Sequence, residues 1–168
     1  MSALDFLSPD LATPDVAAAQ GSWRSPLARA LEHAPADVTD ISLTGKLEIR
    51  GDLGDLKSRA FEIIPITSER ALILCDFTKT GALRERLSAD YLVIDMSAAL
   101  AGLQARGETL MRRLTDLDLD ALPAVGPIAH VQAYVLRDDG DAFRFFFPQE
   151  YGDYLAEVVV DAAEGLRG

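Results

Sequence analysis

The sequence predicts an α+β domain: layered antiparallel or mixed sheets covered by helices, built from two pseudo-repeated strand–helix–strand halves. Three observations carry this. Leu47-Glu48-Ile49-Arg50-Gly51-Asp52 is echoed 56 residues later by Leu103-Gln104-Ala105-Arg106-Gly107-Glu108. Each copy closes a strand-like run and precedes a helix-like pattern. After each helix come two more strand-like runs and a second helix, and hairpins that alternate with single helices favour a layered α+β fold over a doubly wound parallel sheet.

Residues 1–22 contain Asp5, Asp10, Asp15, Pro9, Pro14 and an alanine run but no Lys or Arg. They read as a flexible acidic N-terminal tail, with a short helix at 15–20 and Phe6, Leu7 and Leu11 as apolar anchors. The single domain is expected over 23–168, with halves at about 38–90 and 91–168.

Ser25-Pro26-Leu27 reads as a helix start, Ser as N-cap and Pro at the first helical position. Leu27 and Leu31 share its inner face and Pro35 ends it. Val38 to Leu43 reads as a strand, and Thr44-Gly45 as the turn after it. Lys46 to Arg50 alternates polar and apolar, the pattern of a strand with one face in water. Gly51 suits a positive-φ turn and Asp52 a cap for a helix striped by Leu53, Leu56 and Ala60. Ile63–Ile66 and Ala71–Leu74 form a hairpin around Thr67-Ser68-Glu69, and Pro65 assigns its strand to an edge. Thr80–Leu87 is a short helix with Leu83 and Leu87 inward.

Tyr91–Met96 reads as a strand buried on both faces. Leu100, Leu103 and Ala105 lead into the second Arg-Gly-acid turn, and Leu110, Met111 and Leu114 stripe the next helix. Leu117–Pro123 is a loop. Ile128–Arg137 and Ala142–Phe147 form a hairpin turned by Asp138–Asp141, with Phe143, Phe145 and Phe147 on one face. Pro148 opens the last helix, whose buried side is expected to carry Tyr151, Tyr154, Leu155 and Val158.

The composition excludes several classes. The net charge is −11, with sixteen scattered basic residues among 27 acids. A nucleic-acid groove needs clustered cations, and an anionic membrane surface attracts them, so neither is expected as a partner. No apolar run reaches the roughly 20 residues of a membrane span, and no basic segment precedes an apolar core at the N-terminus. The expectation is a cytoplasmic protein. Cys75 lies in an apolar run and reads as a buried free thiol, with no partner spacing for zinc.

Candidate chemistry is sparse. His130 beside an apolar strand reads first as a hydrogen-bonded core or rim histidine, and second as a catalytic base. His33 at a helix end suits the C-terminal dipole. Asp116-x-Asp118-x-Asp120 begins like a calcium loop, but Ala121 and Pro127 stand where that loop needs Gly and Glu. Gly51-x-x-Gly54 is not followed by Gly-Lys-Ser/Thr, so no phosphate loop is present. No nucleophile elbow is present and no catalytic residue is assigned. The expected metal sites are none.

Arg24-Ser25-Pro26-Leu27, Leu47-x-Ile49-Arg50-Gly51-Asp52, Val93-Ile94-Asp95-Met96-Ser97, Arg106-Gly107, Leu110–Leu114, Asp116-Leu117-Asp118-Leu119, Gly126 and Tyr134-Val135-Leu136-Arg137 occur in an order that resembles the gamma subunit of heterotetrameric sarcosine oxidase. That family is related to the folate-binding domain of the glycine cleavage T-protein, an aminomethyltransferase. The resemblance covers roughly 24–165 and implies a T-protein-like folate-binding fold. The T-protein's catalytic acid falls at about Ala129 and His130, its Gly-rich stretch shrinks to Gly126-Pro127, and its folate-holding aromatic and acidic set has no counterpart here.

The resemblance therefore implies a non-catalytic subunit of a complex that oxidatively demethylates an N-methyl amino acid. FAD, FMN, NAD and tetrahydrofolate are then expected on other, larger subunits, and none in this chain. The interface residues expected are Phe6, Leu7, Leu11 and Trp23, Trp being enriched at interface hot spots. One alternative is a stand-alone folate- or small-molecule-binding protein with His130 and Tyr134 near a ligand between the halves. Another is an amino-acid-sensing regulatory module that forms a homo-oligomer.

Overall fold

The computed structural model describes residues 25–54, 56 and 60–167. The expected tail 1–22 and Trp23 lie outside the described residues. Among the described residues there are nine strands and three α-helices: β1 Val38–Asp40, β2 Thr44–Arg50, β3 Glu62–Thr67, β4 Arg70–Asp76, α1 Thr80–Leu87, β5 Leu92–Asp95, β6 Leu100–Arg106, α2 Glu108–Leu114, β7 Ala124–Ile128, β8 Val131–Arg137, β9 Ala142–Pro148 and α3 Gly152–Glu164. Single 3-10 turns, Phe77–Lys79 and Gln149–Tyr151, link β4 to α1 and β9 to α3.

All strand pairs are antiparallel. One sheet runs β1-β6-β9-β8-β7, the other β5-β2-β4-β3. Each sheet thus borrows its first strand from the other stretch of chain: β1 pairs β6, and β5 pairs β2. The alternation of side chains along each strand then builds four layers. The outer face of the first sheet packs Ala101, Leu103, Val135, Phe143, Phe145 and Phe147 against Leu110 and Met111 of α2 and Leu155 and Val159 of α3. The outer face of the second packs Leu47, Ile49, Ala71 and Ile73 against Leu83 and Leu87 of α1. Between the sheets lie Ile64, Leu72 and Leu74 from one side, and Leu100, Leu136 and Phe146 from the other. The order is helix, sheet, sheet, helices.

The two crossings between sheets are built alike. At the first, the Asp40 carboxylate accepts from Ser42 N (2.8 Å) and Ser42 Oγ accepts from Gly102 N of β6 (3.0 Å). At the second, Asp95 accepts from Ser97 N (2.9 Å) and Ser97 Oγ accepts from Lys46 N of β2 (3.0 Å). The two Arg-Gly-acid corners also match: Gly51 has φ 148° and Gly107 φ 109°. Gly51 N donates to Glu69 O (3.0 Å) and Gly107 N to Asp141 O (2.9 Å).

Several expectations are corrected. β2 has no wet face along its inner length, because Lys46 is 0% exposed and Glu48 2%; the first sheet covers what polar alternation reads as a solvent face. Thr44-Gly45 lies inside β2, and the turn is 41–43, where Thr44 Oγ1 donates to Ile41 O. The first helix is a run of hydrogen-bonded turns over 26–33, with Ser25 Oγ accepting from Leu27 N. Residues 51–54, 56 and 60 are not helical; 55 and 57–59 of that expected helix lie outside the described residues. β5 is an edge strand with Leu92 61% exposed, so it is not buried on both faces. The chain turns at Ala129-His130, which makes Ile128 the end of a separate strand β7. In α3 the inner face is Leu155, Ala156, Val159 and Ala163 with Val158 beside it, while Tyr154 and, in the 3-10 turn before the helix, Tyr151 are exposed. Cys75 is half-buried rather than buried.

Candidate functional site

β2 places three charged residues, Lys46, Glu48 and Arg50, on its inner face, because alternate residues of a strand point the same way. β4 aligns Arg70 directly opposite Arg50 and Leu72 opposite Glu48. The Glu48 carboxylate, 3% exposed, is gripped from both sides. Arg50 donates to its Oε1 through Nε (2.8 Å), with Nη2 in ion-pair contact at 2.7 Å, and Arg70 donates to its Oε2 through Nη2 (2.6 Å). Burial alone would push this carboxyl up; the hydrogen bonds from Arg70 and Arg50 outweigh it and hold Glu48 below its ordinary value. The two arginine side chains stay 50% and 39% exposed. The Arg70 Nε is buried without a hydrogen-bond partner.

Tyr134 reaches this cluster from the opposite sheet. It stands on β8 beside Phe146 and packs on the inter-sheet core. Burial raises its phenol, and the nearby Arg70 pulls it back. Arg70 is in turn held above its ordinary value, first by its hydrogen bond to Glu48, with the Tyr134 hydroxyl adding to it. Glu48, Arg50, Arg70 and Tyr134 thus form a polar rim where the inter-sheet layer meets solvent.

Further along β2, the Lys46 ammonium donates to Ser42 O (2.7 Å) and Thr44 O (2.8 Å) and lies over the Phe146 ring. Burial pushes it down to about 8 against the pull of Asp95 and Asp40. Sequence reasoning missed Lys46, Glu48, Arg50 and Arg70. The signal was three charged residues at alternate positions of one strand, which reads as an exposed face until a second sheet is known to cover it.

His130 and Tyr134 are not brought together. His130 is exposed in the β7–β8 turn with φ 70°. It lines a shallow depression of about 190 Å³ with Arg112, Arg113, Thr115 and Asp116. Tyr134 faces the inter-sheet layer, which apolar side chains fill. Phe6, Leu7, Leu11 and Trp23 lie outside the described residues. A second depression, of about 330 Å³, is lined by Thr44, Glu62, Cys75, Asp76 and Arg144. There burial raises the Cys75 thiol, and Arg144 joins Glu62 of one sheet to Asp138 beyond the other. In the 117–123 loop, Leu119 is buried and Asp120 pairs with Arg137 (3.0 Å). Among the described residues, no group of three or more His, Cys, Asp or Glu side chains is placed to hold a metal ion. None of the described helices is long and apolar enough to cross a membrane.

No protein-family model matches the chain. No curated protein matches it either. Solved structures do. A chain of heterotetrameric sarcosine oxidase from Corynebacterium sp. U-96, in complex with pyrrole 2-carboxylate, superposes with a TM-score of 0.73 at 16% identity. The match covers 88% of this chain and 97% of that one. Glycine cleavage system aminomethyltransferase T from Bartonella henselae superposes with a TM-score of 0.52 at 15% identity, over 79% of this chain. The chain spans about half the length of that protein (48%). The α+β fold with two antiparallel sheets is therefore the one these two proteins carry, as the resemblance in the sequence implies.

Proposed function

We propose that this chain is a non-catalytic assembly subunit, of the gamma type, in a sarcosine-oxidase-like complex that oxidatively demethylates an N-methyl amino acid. The observation that supports this best is the extent of the fold match. The sarcosine oxidase chain is covered almost end to end (97%), whereas the aminomethyltransferase is covered by half. The match thus spans one neighbour chain as a whole and only part of the other. On this reading FAD, FMN, NAD and tetrahydrofolate sit on the larger partners, and 23–168 is the domain that buttresses them. The apolar residues Phe6, Leu7, Leu11 and Trp23 supply part of the interface. The matched Asp-x-Ser crossings and Arg-Gly-acid corners support reading 38–90 and 91–168 as pseudo-equivalent halves.

Native affinity purification from the source cells tests this, with mass spectrometry and an absorption spectrum. The expected result is a yellow complex containing larger flavin-bearing chains. A colourless protein recovered alone overturns the proposal. Deleting residues 1–22 is expected to weaken assembly, and unchanged assembly would remove the tail from the interface.

A further inference from the structure

We infer that Arg50, Arg70 and Tyr134 form a carboxylate-binding site at the rim of the inter-sheet layer, with Glu48 as the built-in counterion that presents the two guanidinium groups. The inference goes beyond the accessory-subunit reading and stands without it.

The charge count comes first. One carboxylate faces two guanidinium groups, so the cluster carries a net positive charge in a chain whose net charge is −11. Neutralising Glu48 needs one arginine, and the second is surplus. Glu48 spends one oxygen on each arginine, so it satisfies neither fork fully. An arginine offers five N–H donors in a planar fork. Arg70 commits only Nη2 to Glu48, and its Nε–H is buried without an acceptor.

Geometry sets the ligand class. Arg50 and Arg70 are register partners on adjacent strands, and both are anchored by the same buried group, so their exposed edges are held side by side. Planar forks match a carboxylate, which can accept from both at once. Tyr134 adds a hydroxyl from the other sheet, near enough to Arg70 for the guanidinium to pull its phenol back toward the ordinary value. The surplus of one positive charge suits a monoanion. A dianionic phosphate would meet Glu48 as an uncompensated like charge. The carboxylate belongs either to an acidic side chain of a partner polypeptide or to a free small acid.

The test follows the arginine Nε–H resonances of the full chain by NMR, while acetate replaces chloride at constant ionic strength. The expected result is a saturable shift of the Arg50 and Arg70 signals. Arg50→Ala leaves the Glu48–Arg70 pair in place and is expected to weaken the Arg70 response about tenfold, the loss of one charge-assisted contact. Tyr134→Phe keeps the ring packing and is expected to weaken it severalfold. Arg112→Ala, which removes an exposed arginine paired with Glu108, is expected to leave it unchanged. A shift that never saturates, or one that is equal in Arg50→Ala, overturns the site. Repeating the titration on the chain with co-purified partners separates the sources. A response abolished by assembly, with assembly weakened by Arg50→Ala, assigns the carboxylate to a partner's side chain. A response that persists assigns it to a free acid.

Discussion

The Lys46 ammonium lies 5.7 Å from the centre of the Phe146 ring, across the two sheets. Gly102 makes room for the same ring, since a Cβ there would approach it to 2.8 Å. Gly102 and Lys46 are also the two residues whose backbone N–H groups the crossing serines accept. One phenylalanine of the first sheet is therefore seated between matching points of the two crossings. A cation held over an aromatic face gains about 2 kcal/mol where water is excluded, which offsets part of the cost of burying the ammonium.

That burial has a pH signature. Lys46 titrates near 8 when folded and near 10.5 when unfolded. Between those values the unfolded chain binds more protons, so the Lys46 contribution makes stability rise with pH, and below about 8 its penalty is complete. The shift corresponds to a penalty on the order of 3 kcal/mol. Lys46→Met is expected to remove this slope. Denaturant unfolding of both proteins from pH 7 to 10.5 checks it: the stability difference, mutant minus wild type, should shrink steadily as pH rises. A difference that does not change with pH would mean that the amine is solvated.

Two glycines should respond to alanine with opposite signs. Gly45 lies in β2, where a Cβ would come within 2.7 Å of Cys75 Sγ and against Thr80 Oγ1. Gly45→Ala is expected to destabilise by about 1–3 kcal/mol through overpacking. Gly81 lies in α1 with nothing near its missing Cβ. Gly81→Ala is expected to stabilise by about 0.5–1 kcal/mol through helix propensity. Thermal unfolding of the two variants tests both.

The repeated Arg-Gly-acid corners predict a third pair. Gly51 and Gly107 both hold positive φ, where an L side chain is strained. Gly51→Ala also meets the Tyr91 ring at 3.1 Å, whereas the nearest atom to a Cβ on Gly107 is at 3.7 Å. Both variants should lose about 1 kcal/mol or more, Gly51→Ala the larger amount. Equal losses would show that backbone strain alone sets the cost at both corners.

How much of this was legible in the sequence depends on the range of the interaction. Thr80–Leu87, the β3–β4 hairpin with Pro65 at the edge, the Phe143–Phe145–Phe147 face and both glycine corners follow from local pattern and backbone chemistry, and the structure carries them. What was not legible is non-local. Lys46 and Glu48 alternate with Leu47 and Ile49 as a solvent-facing strand would, and only the packing of the other sheet buries them. Leu92-Val93-Ile94 is apolar enough for a central strand, yet its place at an edge comes from the exchange of strands between sheets. Ala129 and His130 turn the chain at φ 44° and 70° without the Gly or Asn that usually announces such a turn. Mistaking that turn for strand also put His130 beside Tyr134, when the two residues serve different surfaces. Of the rim cluster, only Tyr134 stands out in the sequence; its arginines and Glu48 need both sheets.

Glu48 gives the sharpest acid signature. Its folded value lies below the ordinary 4.5, with the hydrogen bonds from Arg70 and Arg50 overcoming burial. The stability it contributes is complete above about 4.5 and is lost as pH falls through the lower folded value. Removing one partner of a buried ion pair typically costs about 3–5 kcal/mol. Here the two arginines are 50% and 39% exposed and can turn to water, so Glu48→Gln is expected to cost less, about 2 kcal/mol at pH 7. The loss should fade below pH 4.5, where the wild-type carboxyl is itself becoming neutral. Urea unfolding between pH 3 and 7 checks this. If the two curves stay parallel to pH 3, the Glu48 carboxylate is not the group that couples the sheets to acid. If they converge, the buried carboxylate supports the fold and holds the paired arginines at the rim.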